Sequence, residues 1–445
     1  MLIDTKMGDQ LTNQPLLQQK KVLDRCVSCP LDDLKSFRSL LRWMCVDQSN
    51  PWRACLSYSL FFLLTFVVPL ASHLVFSCSH CDDQHSRPFD GIVQLSLSSA
   101  AALSFLCLSG FVRKYGLRRF LFLDKLCDES EKVRLGYTAQ LHRSLKLLAL
   151  FVLPCFFAEC AYKIWWYSTG SNQIPFLGNL YFSDFAACLL QLCSWLYRTS
   201  IYFLVCVLFR LICYLQILRL QDFALLFQQE SDVSCVLKEH LRIRRHLRII
   251  SHRYRIFILF TLLIVTASQL AALLDTTRAN AHVNIFRAGE LALCSMTLVA
   301  GLFILLRSAT KITHKAQSVA CLAAKWHVCA TLDSFDGGDD GEGGTPAAQI
   351  VLQSELRGGW DGDDEEDGTG DDAEDDDLDN AKMLLPNFAH TISFQKRQAL
   401  VTYFENNTAG LTVFGFTLDR TLLRTIFGIE LPLVLWLLGK TIGIS

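Results

Sequence analysis

Residues 185–218 read FAACLLQLCSWLYRTSIYFLVCVLFRLICYLQIL, more than thirty positions without a proline or glycine to turn the chain. At 1.5 Å per residue a helix of that length covers about 50 Å. That is too long for one upright crossing of a ~30 Å hydrocarbon core and too short for a hairpin of two. The stretch therefore predicts a single tilted helix that crosses a bilayer and projects beyond it. Its most apolar part, 185–212, is one of seven segments of crossing length. The others are roughly 54–76, 92–112, 145–167, 256–274, 288–306 and 425–444.

Lys and Arg are confined to alternate connections. Lys20, Lys21, Arg25, Lys35, Arg38, Arg42 and Arg53 precede the first span. Eight more lie in the second connection, from Arg113 to Arg143, and eight in the fourth, from Arg219 to Arg255. The first connection has Arg87 alone, the third has none, and the fifth has Arg278 and Arg287. Basic loops stay on the cytoplasmic side. The expected fold is an all-α membrane protein with seven transmembrane helices, a cytoplasmic N-terminus and an extracellular C-terminus. A G-protein-coupled receptor is threaded the other way up, so that class is excluded on this reading.

A hydrophobic content of 51% and a mean hydropathy of +0.29 leave little extramembrane mass. Residues 1–30 are polar and basic with no apolar core, so the first span is expected to act as its own insertion signal. The formal charge of −1 conceals a segregation: between Asp333 and Asp379 there are 19 acidic residues against the single Arg357. Such a stretch cannot bury enough apolar surface to fold and reads as a disordered cytoplasmic loop. The organisation that follows is a cytoplasmic N-terminal segment (1–53), then six spans with cytoplasmic extensions (54–332). The acidic loop (333–382) comes next, followed by a cytoplasmic helical segment and the seventh span (383–445). The basic stretch 239–250 runs into the fifth span without a turn signal. The sixth span continues through Lys311, Lys315 and Lys325. Both predict long cytoplasmic helical extensions.

Nine of the 18 cysteines lie inside the spans or, for Cys213, at a span's edge, where a free thiol packs like a small apolar residue. Cys26 and Cys29 fall on the cytoplasmic side and Cys78 and Cys81 outside, so the two Cys-x-x-Cys pairs cannot share a metal. The sequon at Asn406 falls on the cytoplasmic side and should be unmodified. No Gly-rich phosphate loop, zincin helix or nucleophile elbow occurs, so the chain has no enzyme signature. No cofactor, metal or nucleic-acid partner is implied; the partners expected are membrane lipid, further copies of the chain and a small-molecule ligand.

Charges inside spans are costly and should point inward and pair. Glu159 and Lys163 sit one turn apart, Arg198 lies mid-span and Glu290 near the outer end of the sixth span. Depth favours an ion pair between Glu159 and Arg198. Tyr162, Trp165, Trp166, Trp195, Tyr197 and Tyr202, with Glu290, are candidates for a ligand pocket, although interfacial anchoring is the first explanation of the outermost aromatics. The seventh span carries Glu430, Pro432, Gly439 and Lys440 around an apolar run. If several subunits placed this helix about an axis, Glu430 would ring the inner mouth and Lys440 the outer. Leu433, Leu435, Trp436 and Leu438 would form a hydrophobic constriction between them.

The segments RKYGLRRF (113–120), YKIWWY (162–167) and SATKITHKA (308–316) resemble a plant family of gustatory-receptor-like membrane proteins, catalogued under a domain-of-unknown-function heading. More distantly, Gly410, Leu411, Phe414, Phe416, Asp419, Arg420, Leu422 and Leu423 are similar to the approach to the last span in insect gustatory and odorant receptors. That resemblance implies seven spans with the N-terminus inside. It also implies a homotetrameric, ligand-gated cation channel of the plasma membrane, with the last helix lining the pore. The insect family's closing Thr-Tyr and Gln-Phe have no counterpart here at Pro432-Leu433 and Gly439-Lys440. The alternative is a non-conducting receptor or scaffold on the same fold, signalling through its acidic loop.

Overall fold

The computed structural model describes residues 51–75, 87–120, 131–169, 180–229, 233–278, 285–336, 394–407 and 409–443. The two Cys-x-x-Cys pairs and all but the first four residues of the acidic loop lie outside the described residues. Among the described residues, seven helical segments are long and apolar enough to cross a membrane, as expected. The first comprises α1 (Pro51–Phe62), a π-helical turn (Leu63–Val67) and α2 (Val68–Val75). The next five are α3 (Asp90–Phe120), α4 (Glu131–Thr169), α5 (Leu180–Gln229), α6 (Val233–Thr276) and α7 (Ile285–Asp336). A shorter helix, α8 (Phe394–Asn406), is followed by a hairpin of β1 (Thr412–Val413) and β2 (Phe416–Thr417), and then by α9 (Arg420–Ile442).

The 50 residues of α5 form one uninterrupted helix about 75 Å long. The helix through 239–250 is continuous with the fifth span, and α7 runs 52 residues without a break. Helix α4 begins at Glu131, well before the apolar run starting at 145, so the third span also carries an extension. α5 and α7 form the centre. α5 touches the first span, α3, α4, α6 and α7, while α7 also carries α8 and α9. Their close approach depends on Gly301: a Cβ there would lie 2.3 Å from Tyr202 Cε1. The Tyr202 hydroxyl donates to Leu298 O at 2.9 Å, so the ring is held against the glycine.

The break in the first span has a local cause. Pro69 has no N–H, and its ring crowds the carbonyl one turn earlier, at Thr65. The chain widens to a π turn immediately before it. Freed carbonyls cannot be left bare in hydrocarbon. Ser194 Oγ of α5 donates to Leu64 O at 2.6 Å, and Ser98 Oγ of α3 to Thr65 O at 2.8 Å. The distorted turn thus becomes the dock for two other helices.

Candidate functional site

Polar side chains from α3, α4, α5, α7 and the first span meet in one buried cluster. The i, i+4 spacing on α4 puts Lys163 Nζ 3.5 Å from Glu159 Oε1, and the same ammonium donates to Glu290 Oε1 of α7 at 2.9 Å. Glu159, Lys163 and Arg198 are 1%, 2% and 3% exposed, so each charge needs a partner within the protein. Arg198 turns toward α3 and its own helix. Its guanidinium donates to Ser98 Oγ at 3.3 Å, Ser194 O at 3.4 Å and Gln94 O at 3.5 Å. The expected Glu159–Arg198 pair is therefore corrected. Lys163 shares a helix face with Glu159, one turn away, which a match on depth alone leaves out of account.

The cluster extends through hydrogen bonds. Gln94 Nε2 donates to Asp90 Oδ1 at 3.0 Å, Asp90 Oδ2 lies 3.2 Å from His73 Nδ1, and Gln191 Nε2 donates to Ser72 Oγ at 2.6 Å. At its centre is a cavity of about 10 Å³, lined by Glu159, Lys163, Arg198, Glu290, Gln94 and Gln191 among others. That is room for about one water-sized group, far below the ~300–1,000 Å³ of sites that enclose drug-sized molecules. Both Glu159 carboxylate oxygens and Gln94 Oε1 accept no hydrogen bond among the described residues. These lining atoms are acceptors, so the chemistry that satisfies them is a donor. Sequence reasoning found the charges; it missed Gln94, Ser98, Gln191 and Ser194, whose only signal was polarity within apolar runs.

The aromatic candidates do not converge on this cavity. Trp195 lines it and stacks on Phe156 at 6.3 Å, and Glu290 lines it too. Tyr197 packs instead with Phe61, Leu64, Val68 and Phe105, while Tyr202 faces α7. Tyr162 donates to Phe286 O at 2.9 Å, and Trp165 packs on the Phe286 ring at 4.6 Å. The Arg87 guanidinium lies 3.7 Å from the Trp166 ring centroid. The single aromatic pocket is thus corrected to several helix contacts, because 100° per residue sends neighbouring rings to different partners.

On α9 the buried positions are Glu430, Val434, Leu437 and Thr441. Their i, i+4, i+7, i+11 spacing places Glu430 on the face turned into its own protomer, which corrects its expected place on a pore rim. Leu433 and Leu438 are half-buried. Leu435 and Trp436 are exposed, beside Ile429 and Leu431. Lys440 is tied down: its Nζ donates at 3.2 Å to Thr276 O, the last carbonyl of α6, and lies 5.3 Å from the Trp436 ring centroid. A cation at that helix end satisfies an orphan acceptor and the helix dipole.

The chain enters α9 through a tight junction. Phe414 and Gly415 take positive φ values of 50° and 94°, the pair a two-residue hairpin turn requires. Leu411 N donates to Thr313 Oγ1 of α7 at 3.1 Å, and Thr412 N to Ser251 Oγ of α6 at 3.1 Å. A Cβ at Gly410 would lie 3.1 Å from Thr313 Cγ2, so the glycine permits this approach. Asp419 then caps α9, its Oδ1 accepting from Leu422 N at 2.9 Å. The resemblance had marked Gly410, Leu411 and Asp419; their partners Ser251 and Thr313 carried no sequence signal as partners.

Seven apolar helices among the described residues, around a buried polar cluster, define a multi-pass membrane protein. Residues 32–429 match the family described as protein of unknown function, DUF3537, and the chain belongs to that family. No curated protein matches the sequence. Among solved structures the chain is similar to the insect olfactory receptor OR5 from Machilis hrabei. The TM-score is 0.45 at 13% identity, with 92% of this chain and 99% of that one covered. The same receptor in complex with eugenol gives a TM-score of 0.48 at 13% identity, covering 92% of this chain and 100% of that one.

Proposed function

We propose that this chain is a subunit of a homo-oligomeric chemoreceptor of the plasma membrane, a ligand-gated channel with its N-terminus in the cytosol. The orientation rests on the confinement of Lys and Arg to alternate connections. The observation that carries the channel reading is α9. Its apolar face of Ile429, Leu431, Leu435 and Trp436 is left uncovered by the protomer, while its entrance is bonded to α6 and α7. Copies meeting about an axis, a tetramer by family resemblance, would place that face along a path, and movement of α7 would reach it through Thr313. Glu290 on the same α7 joins the polar cluster to this route. A ligand for the cluster would be small and would present a hydrogen-bond donor to Glu159 and Gln94.

Planar-bilayer recording from the purified protein tests the reading. Unitary currents evoked by potential or by a panel of the smallest alcohols and amines are expected, with an amplitude altered by Leu435→Asn. Silence across that panel, together with particle images showing single subunits, would leave the non-conducting receptor in its place.

A further inference from the structure

Helix α6 carries a basic stripe that neither the polar cluster nor the α9 junction uses. Lys238, Arg242, Arg245 and Arg248 follow one another at spacings of four, three and three, so they share one helix face. Lys238, Arg245 and Arg248 are exposed, and among the described residues none of them pairs with a carboxylate. Arg242 lies 3.4 Å from Glu239, the one acid beside the stripe on its own helix. We propose that this stripe is the docking surface for the chain's own acidic segment, residues 361–377.

The geometry argues against lipid headgroups as the occupant. The same face of α6 continues into Ile256, Phe260, Leu263, Leu270 and Leu274, all exposed and apolar, which is the surface that meets hydrocarbon. At 1.5 Å per residue, Arg248 stands about 12 Å beyond Ile256, Arg245 about 16 Å and Lys238 about 27 Å. The headgroup layer is only ~5–8 Å deep on each side. Headgroups therefore reach His252, Arg255 and the long side chain of Arg248, whereas Lys238, Arg242 and Arg245 stand beyond them.

The acidic segment satisfies position, reach and charge together. The chain leaves the described bundle at Asp336, the end of α7, and returns at Phe394, the start of α8. The Phe394 ring lies 5.1 Å from His327 near the end of α7. α8 packs on α6 through Phe404, 4.6 Å from His240, which is two residues from Lys238 but on the opposite face of α6. α8 thus packs on the far side of α6 and, among the described residues, leaves the stripe open. The intervening residues 337–393 are enough in number for a Gly-rich chain to reach about 40 Å. Residues 361–377 hold twelve carboxylates and no Lys or Arg. Single exposed ion pairs are weak, but several on one tether act at millimolar effective concentration. Salt should release them, since screening shortens to ~3 Å at 1 M.

The test uses the full chain in phosphatidylcholine nanodiscs, with every Asp of 361–377 changed to Asn and every Glu to Gln. A fluorescent peptide of the native 361–377 sequence is the probe. The neutralised chain should bind it at least tenfold more tightly than the native chain, whose own segment competes, and 0.5 M NaCl should release it. R245E/R248E in the neutralised background should abolish binding, whereas R420E/R424E should leave it intact. If R245E/R248E does not fold, R245Q/R248Q should still weaken binding at least threefold. Equal affinity for native and neutralised chains, no binding to the neutralised chain, or binding that survives the stripe substitutions would overturn the proposal. Displacement of the peptide by phosphatidylserine in the nanodisc would assign the stripe to lipid and overturn it as well. None of these outcomes depends on whether the protein conducts.

Discussion

Helices α5 and α9 are both apolar enough to cross a bilayer, yet their surroundings are opposite. Of the residues in the most apolar stretch of each, 83% are buried in α5 and 17% in α9. In water an apolar face left open would be driven inward. In a bilayer lipid tails are as apolar as leucine, so hydrophobicity does not choose between a helix neighbour and lipid. What separates the two is packing. α5 offers Gly301 a tyrosine ring, offers the π turn a serine and brings Arg198 to the cluster. α9 offers one buried row and leaves the other side uncovered.

The comparison breaks most decisively at the charges around α5. Lys163→Met strands Glu159 and Glu290 and should lower stability by about 3–5 kcal/mol, read as a fall in the thermal midpoint of the detergent-solubilised protein. E159Q/K163M/E290Q should recover most of that loss. A single Lys163→Met variant as stable as wild type would show that Lys163 is not needed to hold the two carboxylates.

The helices themselves are compared by truncation. Phe209 on α5 is 0% exposed, and Phe209→Ala should cost about 3–5 kcal/mol. Leu435→Ala on the uncovered face of α9 should stay within ~0.5 kcal/mol in the isolated protomer. Equal costs at the two sites would erase the distinction. Gly301→Ala should cost about 1–3 kcal/mol, because the added carbon meets the Tyr202 ring. Removing the α9 cap by Asp419→Ala should cost about 1 kcal/mol, and Asp419→Asn much less.

The smallest expected effect lies outside the membrane, where α8 meets α7. Burial, and then nearby Arg397, hold the His327 pKa below its usual value near 6.5. The folded state therefore prefers neutral His327, while the unfolded chain takes up a proton more readily. Stability contributed here is present above the unfolded value and declines as pH falls below about 6.5. Hydrogen exchange in α8 should rise across that range, and His327→Gln should flatten the profile. A profile unchanged by His327→Gln would assign the pH response to another group.

Much of the architecture was legible in the residues. The unbroken run 185–218 announced one long helix, 239–250 joined the fifth span, and Lys311 to Lys325 continued the sixth. Three features were not. Pro69 signalled a disturbed helix but not that Ser98 and Ser194 would use it. Glu159 and Lys163 were visibly one turn apart, yet depth alone favoured Arg198. Glu430 and Lys440 marked α9 as unusual without showing that one turns inward and the other caps α6.

From composition and spacing alone came seven apolar lengths, the reach of the helices beyond the bilayer, and the separation of acidic from basic segments. These depend on numbers of residues and on charge, which the chain carries wherever it packs. The partner of each buried charge, the uncovered face of α9 and the opening of the α6 stripe were decided only in three dimensions. Apolar attraction has no direction, so the rotation of each helix is chosen by the side chains of its neighbours.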